Sequence, residues 1–172
     1  SREGIRPDLA ISQAILETDC FRYGGDVVPE QNNYAGIGTT GGGVKGAFFE
    51  SPQIGVRAQI QHLLGYASSR QPSLAIVDPR YELLKAHPDK FGRCSNWEDL
   101  NGRWAVPGKN YSQNIFRTLS YIKTAPPQPT VPQPPVTAWR ATAPPVEKPG
   151  NPAPIALPAP GVTAQDANAA AE

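Results

Sequence analysis

One carboxylate lies inside an otherwise apolar run, and it is the first candidate for chemistry in this chain. The run is AISQAILETDC, residues 10–20, and the carboxylate is Glu17. At about 100° per residue on a helical wheel, Glu17 falls on one face with Ala10, Ala14 and Phe21. Nearly opposite is a narrow polar edge, expected to face solvent, that contains Asp8, Ser12 and Asp19.

A carboxyl group turned away from solvent can act as an acid near neutral pH. Burial disfavours the ionised form and raises the pKa of the group. A glutamic acid that keeps its proton can then serve as a general acid. The wheel alone leaves a structural alternative open, in which Glu17 pairs with Arg22 or Arg57 or caps the following turn.

Helices are predicted to position this acid. The first runs from Pro7 to about Cys20, because a proline followed by an aspartate suits a first helical turn. Ser51 and Pro52 give a second helix an N-cap and a proline at its first position. The apolar positions that recur at turn spacing in this second helix are Val56, Ile60, Leu63 and Ala67.

The rest of the pattern predicts two further helices and a short hairpin. A short helix begins near Asp78, and a last helix follows a cap at Asn110. The glycine-rich segments 32–38 and 43–49, joined through TTGG, indicate a β-hairpin. The predicted fold class is therefore α+β and dominated by helices. The apolar face of the last helix is expected to contain Ile115, Leu119 and Ile122.

Five segments along the chain carry a family resemblance. They are ISQAILETDCFRYGGDV, EQNNYAGIGTTGGGVKGAFF, SPQIGVRAQIQHLLGYA, VDPRY and WEDLNGRWAVPGKNYSQNI. Taken in this order, over roughly residues 3–122, they resemble the glucosaminidase domains of bacterial cell-wall hydrolases, glycoside hydrolase family 73. The branch that they resemble most is the one labelled mannosyl-glycoprotein endo-β-N-acetylglucosaminidase-like. An ordered set of segments is far more specific than any one motif.

The resemblance implies a lysozyme-like fold, in which a helical lobe and a small β-hairpin lobe flank a groove for a glycan strand. The family's agreed catalytic residue is the glutamate of the ET step, which is Glu17 here. It would protonate the glycosidic oxygen as the bond breaks. Amide side chains can bracket an N-acetyl group, and glycine lets a sugar approach the backbone. The implied substrate-binding residues are Asn32, Asn33, Tyr34, Gly36 and Tyr111.

Several of these positions have structural alternatives. Asn32 could stabilise a turn, and Tyr111 could be a core tyrosine. Ile37 is better explained by core packing. Trp97 and Trp104 could stack on sugar rings, although their spacing favours packing in the core.

A second catalytic carboxylate is harder to place. Many members of the family carry one in a longer hairpin, whereas the acids in the matching stretch here are Asp26, Glu30 and Glu50. Asp26 follows two glycines and is interpreted as fixing a turn, which leaves Glu30 and Glu50 as catalytic candidates. The substrate's own acetamido oxygen could also attack the anomeric carbon, so that no second carboxylate is needed.

One position departs from the family pattern directly after the acid. Relatives have a glycine where this chain has Asp19. If the position requires a positive φ, aspartate tolerates it better than most residues. If a sugar passes close by, the aspartate would crowd it and reduce activity.

The expected function is that of an endo-β-N-acetylglucosaminidase, which cleaves the β-1,4 bond after GlcNAc in peptidoglycan. One alternative keeps the fold and changes the bond, as in a muramidase or a lytic transglycosylase. Another is a cell-wall-binding module without turnover. We expect a monomer whose partners are glycan strands, in an extracellular or cell-wall location, with the export signal missing from this fragment.

Composition limits the other classes. With 16 basic and 15 acidic residues, the net charge of +1 offers no attraction to nucleic acid. No segment is apolar enough to span a membrane. His62 and His87 lack nearby metal-ligand partners, so neither metal nor cofactor is expected. Cys20 and Cys94 could pair or stay free.

Composition also changes near residue 124, so the catalytic domain is predicted to span 1–124. Thirteen of the 20 prolines fall in 125–172, which predicts a spacer or a disordered tail. Trp139 within that segment could dock on a partner or be exposed incidentally.

Overall fold

The computed structural model describes residues 1–106 and 108–125, and the regular structure of this part is helical. Helices α1 to α4 span Pro7–Glu17, Pro52–Ala67, Tyr81–Lys85 and Tyr111–Thr124, and two 3-10 turns span Pro29–Gln31 and Trp97–Leu100. None of the helices described is long and apolar enough to cross a membrane. The predicted tail, with Trp139, lies outside the described residues from position 126 onward, so the domain boundary stays a prediction.

Helix α1 ends at Glu17, earlier than predicted, because the next residue closes it. The Thr18 hydroxyl donates to the Ala14 carbonyl at 2.7 Å and accepts from the Phe21 N–H at 3.0 Å. A left-handed turn follows, which no helix can continue. Its residues with positive φ are Asp19 at 48°, Cys20 at 58° and Phe21 at 59°.

The predicted polar edge of α1 is wrong for Ser12. This residue is 0% exposed, and its hydroxyl is satisfied within the helix by the Asp8 carbonyl, 2.7 Å away. Asp19 is exposed as expected and pairs with Arg22 at 2.8 Å. A serine that bonds to its own helix can therefore be buried at little cost.

The start of α2 confirms its predicted cap, since the Ser51 hydroxyl accepts from the Ile54 N–H at 3.3 Å. The predicted apolar face is only partly right, because Leu63 is buried whereas Val56 and Ala67 are exposed. The helix is instead turned with Gly55 against the loop that follows α1. A Cβ on Gly55 would lie 1.8 Å from the carbonyl oxygen of Asn32, so only glycine permits this approach.

The predicted cap of α4 is wrong. Asn110 makes no capping bond with its side chain. The amide oxygen of Asn101, on the loop before the helix, instead accepts from the Ser112 N–H at 2.8 Å. On the predicted apolar face Ile115 is fully buried, whereas Ile122 at the far end is 42% exposed. The cap thus comes from a residue that only the folded loop brings close.

No β-strand forms among the described residues, so the predicted hairpin is wrong there. Backbone pairing is limited to single bonds such as Ala47 N–H to Ile37 O at 2.9 Å. The Asn33 amide bonds both the N–H and the carbonyl of Ile37, each at 2.9 Å, and also the Ala47 carbonyl at 3.2 Å. The Gln31 amide donates to the Ala47 carbonyl as well. Side-chain amides thus take the backbone groups that paired strands would use.

Glycines also interrupt this loop. An extended strand needs negative φ at each position, and a run of left-handed glycines breaks it. Those with positive φ between positions 36 and 46 are Gly36, Gly38, Gly41, Gly42, Gly43 and Gly46.

Two apolar clusters form the core, and Trp104 packs against both. The larger cluster joins the four helices, since α1 packs on α4 and α2 on α3. The smaller cluster joins α2 to the loop that the amides of Gln31 and Asn33 hold, and Ile37 lies in this cluster as expected. The buried members of the larger cluster are Leu9, Ala10, Leu63, Tyr66, Leu84, Cys94, Leu100, Tyr111 and Ile115.

Replacing Asn33 by alanine should destabilise the domain by about 2–3 kcal/mol, because it leaves buried backbone groups unpaired. The free energy of unfolding from urea denaturation measures this. Lys45→Ala is the control, since that side chain is exposed in the same loop and should change stability by less than about 0.5 kcal/mol. Equal effects of the two substitutions would contradict the role given to the Asn33 amide.

Candidate active site

Glu17 is the last residue of α1, and two aromatic side chains hold its carboxyl group. The hydroxyl of Tyr111 donates a short hydrogen bond to Oε1. The indole N–H of Trp104 donates to the same oxygen at 3.2 Å. These partners lie 94 and 87 residues away along the chain, so the fold assembles the site.

Burial raises the pKa of Glu17, although the hydrogen bonds from Tyr111 and Trp104 act in the opposite direction. The structural alternative, in which Glu17 pairs with Arg22, is not observed, since Arg22 pairs with Asp19. No ion pair among the described residues includes Glu17. The acid therefore has hydrogen-bond donors and no counter-charge, which favours its protonated form.

The loop before α4 positions Trp104. Its backbone N–H bonds to the Leu100 carbonyl at 3.0 Å, at the end of a 3-10 turn. The Arg103 guanidinium donates to the Asp99 carbonyl at 2.9 Å, and the Tyr66 hydroxyl donates to the Arg103 carbonyl at 3.2 Å. The loop is thus tied both to itself and to α2.

Other aromatic rings surround the Trp104 indole. It lies nearly parallel to Tyr111, with ring centroids 6.4 Å apart and an interplanar angle of 14°. From α2, His62 contacts it edge-on at 5.1 Å and Tyr66 at 5.5 Å. The Nδ1 atom of His62 lies 2.7 Å from a carboxyl oxygen of the buried Asp78. Sequence reasoning considered His62 only as a metal ligand and missed this packing role, for which nothing in the local pattern gives a signal.

The glycine-rich loop reaches the acid at Gly36. Its φ is +60°, and a Cβ built there would lie 3.6 Å from Oε2 of Glu17. The position is also tight against the loop, since the same Cβ would lie 3.3 Å from the Thr39 hydroxyl. Gly36 and Tyr111 are thus the two predicted substrate-binding residues that the fold brings next to Glu17.

The other predicted substrate-binding residues have structural partners. The Asn32 amide donates to the Phe49 carbonyl at 2.9 Å, and the Asn33 amide is committed to its loop as described above. Tyr34 lines an apolar groove of about 530 Å³ between α1 and α2, where its ring meets that of Phe21 edge-on at 6.2 Å. A role for these three residues in binding sugar stays a prediction.

The candidate second carboxylates lie apart from these contacts. Glu30 and Glu50 are exposed. Asp26 accepts from the Gly43 N–H at 3.0 Å and so ties the glycine loop to the turn after α1. Cys20 is exposed and Cys94 is buried, and both are free thiols. The two cysteines therefore do not form a disulfide with each other. The described residues bring together no metal-binding group of three or more His, Cys, Asp or Glu side chains.

The described residues thus form a helical domain in which a partly buried carboxylic acid ends a helix beside a glycine, is held by two aromatic donors and has no ion pair among them. This environment suits the acid of a glycoside hydrolase. Comparison with known families agrees with this class. Residues 1–123 match the glucosaminidase family, described as mannosyl-glycoprotein endo-beta-N-acetylglucosaminidase. The chain therefore belongs to the glucosaminidase family.

The chain is also similar to a protein of Borreliella burgdorferi described as uncharacterized. The two are 39% identical over 117 residues, which is 68% of this chain and 54% of the relative. The match thus spans about half the length of that relative. No solved structure matches this chain significantly.

Replacing Glu17 by glutamine should make the protein more stable at neutral pH than the wild type. Because the folded-state pKa of Glu17 is raised, the folded protein holds a proton that the unfolded chain releases above its own pKa, near 4.5. The wild type therefore loses stability as the pH rises through the folded-state pKa, and the glutamine variant does not. Thermal unfolding at pH 4 and pH 7.5 should show the variant's advantage only at the higher pH.

Glu30→Gln is the matched control for this measurement, because its carboxyl group is exposed. It should change stability little at either pH. An advantage of Glu17→Gln that is the same at both pH values would contradict a raised pKa.

Proposed function

We propose that this chain is an endo-β-N-acetylglucosaminidase that cleaves the β-1,4 bond after GlcNAc in peptidoglycan, with Glu17 as general acid. The observation that carries the proposal is the partly buried Glu17 carboxyl group, whose pKa is raised by desolvation and which has no cationic partner among the described residues. Membership of the glucosaminidase family supports the glycosidase class. A lysozyme-like groove for the glycan and an extracellular or cell-wall location belong to the same proposal, as does action as a monomer.

The two oxygens of Glu17 have different roles in this proposal. Oε1 accepts from both Tyr111 and Trp104, so it is occupied as an acceptor. The proton then resides on Oε2, which faces Gly36. A glycosidic oxygen bound beside Gly36 would receive that proton as its bond to the anomeric carbon breaks.

The acetamido group of the substrate serves as nucleophile in this mechanism. Its carbonyl oxygen bonds to the anomeric carbon as the leaving sugar takes the proton from Glu17. The resulting cyclic intermediate is opened by water, which returns a proton to the Glu17 carboxylate. This route is supported by the exposed positions of Glu30 and Glu50 and by the structural bond of Asp26 to Gly43.

Digestion of purified peptidoglycan tests both the bond and the acid. The full chain and its Glu17→Gln variant would be compared, with products reduced by borohydride and analysed by mass spectrometry. New reducing ends of N-acetylglucosamine, and at least 100-fold less product from the variant, are expected. Reducible muramic acid or anhydro-muramic ends would contradict the bond assignment, and binding without product would contradict turnover.

The same assay separates the carboxylates. Under the substrate-assisted mechanism, Glu30→Gln and Glu50→Gln should each keep activity within about threefold of the wild type. A loss from either variant comparable to that of Glu17→Gln would identify a second catalytic carboxylate instead.

A methyl group at Gly36 should impair catalysis more than folding. Gly36→Ala introduces a side chain at positive φ and places it next to Oε2 of Glu17. Gly41→Ala is the control, because its φ is +80° and nothing lies within 4 Å of the point that a Cβ would occupy there. Both should lose about 1–2 kcal/mol of stability, and only Gly36→Ala should lose activity, by about 10-fold or more. Equal losses of activity would contradict a substrate position beside Gly36.

A further inference from the structure

A chain of buried amides connects α1 and α2 to the hydroxyl that binds Glu17. Gln13 on α1 is 0% exposed and Gln59 on α2 is 2% exposed. The Gln59 amide donates to the Gln13 amide oxygen at 2.9 Å, and Gln13 donates to the Tyr111 hydroxyl at 2.8 Å. Neither glutamine touches the Glu17 carboxyl group directly, so the mechanism above does not use them.

A backbone carbonyl fixes which group donates and which accepts in each hydrogen bond of this series of amides. The Gln59 amide nitrogen also donates to the Ala10 carbonyl at 2.9 Å, and a carbonyl can only accept. Gln59 must therefore present its NH₂ group, and Gln13 must turn its oxygen towards Gln59. The NH₂ group of Gln13 then faces Tyr111, whose oxygen accepts this bond and whose own proton remains for Glu17.

We propose that Gln13 and Gln59 are positioning residues, which hold Tyr111 as a permanent donor to Oε1 of Glu17 and so confine the acid's proton to Oε2. The inference rests on the proposed role of Glu17 as general acid. Trp104 needs no such control, because an indole N–H can only donate. A phenol can donate or accept a hydrogen bond. An unconstrained Tyr111 could therefore accept a hydrogen bond from Glu17, and the proton of the acid would then lie on Oε1 instead of Oε2.

The other groups described around Glu17 do not fix the direction in which the Tyr111 hydroxyl donates its proton. That direction depends on the relay, which is the hydrogen-bonded series of Gln59, Gln13 and Tyr111. The titratable group that contacts Glu17 from α4 is Tyr111 itself. From α2, His62 and Tyr66 reach the site through the Trp104 ring rather than through the carboxyl group. Asp19 and Arg22, in the turn after α1, are exposed and paired with each other.

Gln13→Met tests the relay, because methionine has a similar shape and no hydrogen-bond donor. We expect kcat to fall about 10- to 100-fold with little change in KM. The basic limb of the kcat profile should move to higher pH, because the Tyr111 hydroxyl without the Gln13 donor is a weaker donor to Glu17, and this donation lowers the pKa of Glu17. Gln13→Glu, with a carboxylate that accepts the Tyr111 proton, should show the same loss.

Two comparisons separate positioning from general destabilisation. Gln61→Met is the matched control, since Gln61 is also 0% exposed on α2 but bonds to the backbone of Ala75 and Val77. It should reduce stability and leave kcat and its pH profile unchanged. In a Tyr111→Phe background, Gln13→Met should have no further effect on kcat, because the relay has lost its target.

A readout independent of turnover keeps the inference distinct from the proposed function. The indole N–H resonance of Trp104 should titrate with Glu17, and its midpoint should rise in Gln13→Met but not in Gln61→Met. A rise in a protein that does not cut peptidoglycan would overturn the proposed function while supporting the relay. An unchanged midpoint, or additive effects of Gln13→Met and Tyr111→Phe, would overturn the relay.

Discussion

A partly buried carboxyl group without a counter-charge among the described residues is the constraint on which the rest of this domain depends. Burial penalises an ionised Glu17 in this place, and the described residues include no arginine or lysine in an ion pair with it. The fold offers two hydrogen-bond donors, both directed at one oxygen. This arrangement orients the carboxyl group, while burial keeps its pKa raised. An arginine at the same distance would also orient it, but it would lower the pKa and so remove the proton that a general acid needs.

Neutral side-chain amides also hold several of the segments around Glu17. The loop that carries Gly36 is held by the amides of Gln31 and Asn33 instead of by paired strands. The start of α4 is capped by the amide of Asn101, and the hydroxyl of Tyr111 is reached by Gln13. Amides fix a backbone as well as a strand partner does, and they add no charge near Glu17. The irregular loop can therefore lie against Glu17 without a charged side chain that shifts the pKa of this residue.

Local reasoning succeeded where the determinants are close in the sequence. The cap of α2 by Ser51 follows from adjacent residues and is confirmed. The helical wheel also identified Glu17 as turned inward, although it placed Ser12 in solvent, because the wheel cannot see a hydroxyl that bonds to its own helix. Family resemblance, rather than periodicity, pointed to Gly36 and Tyr111.

What could not be predicted depends on contacts between distant segments. Asn101 and Asn110 are equally good caps by residue type, and only the path of the loop places the amide of Asn101 over the first turn of α4. The hairpin prediction failed because two glycine-rich segments joined through TTGG are compatible with paired strands until the amides of Gln31 and Asn33 compete for the backbone. The rotation of α2 depends on the approach of Gly55 to Asn32, which no pattern within the helix reveals.

The turn after Glu17 shows how a departure from the family pattern is accommodated. Position 19, where the family resemblance implies a glycine, has a φ of +48°, at which a side chain is strained. A left-handed residue costs roughly 1–2 kcal/mol, and aspartate lowers that cost through local hydrogen bonding. Asp19 is also exposed and paired with Arg22, so its charge is directed into solvent and partly neutralised there. Because a negative charge directed at Glu17 would raise the pKa of the acid further, the outward pairing lets this residue replace glycine without adding to the effect of burial.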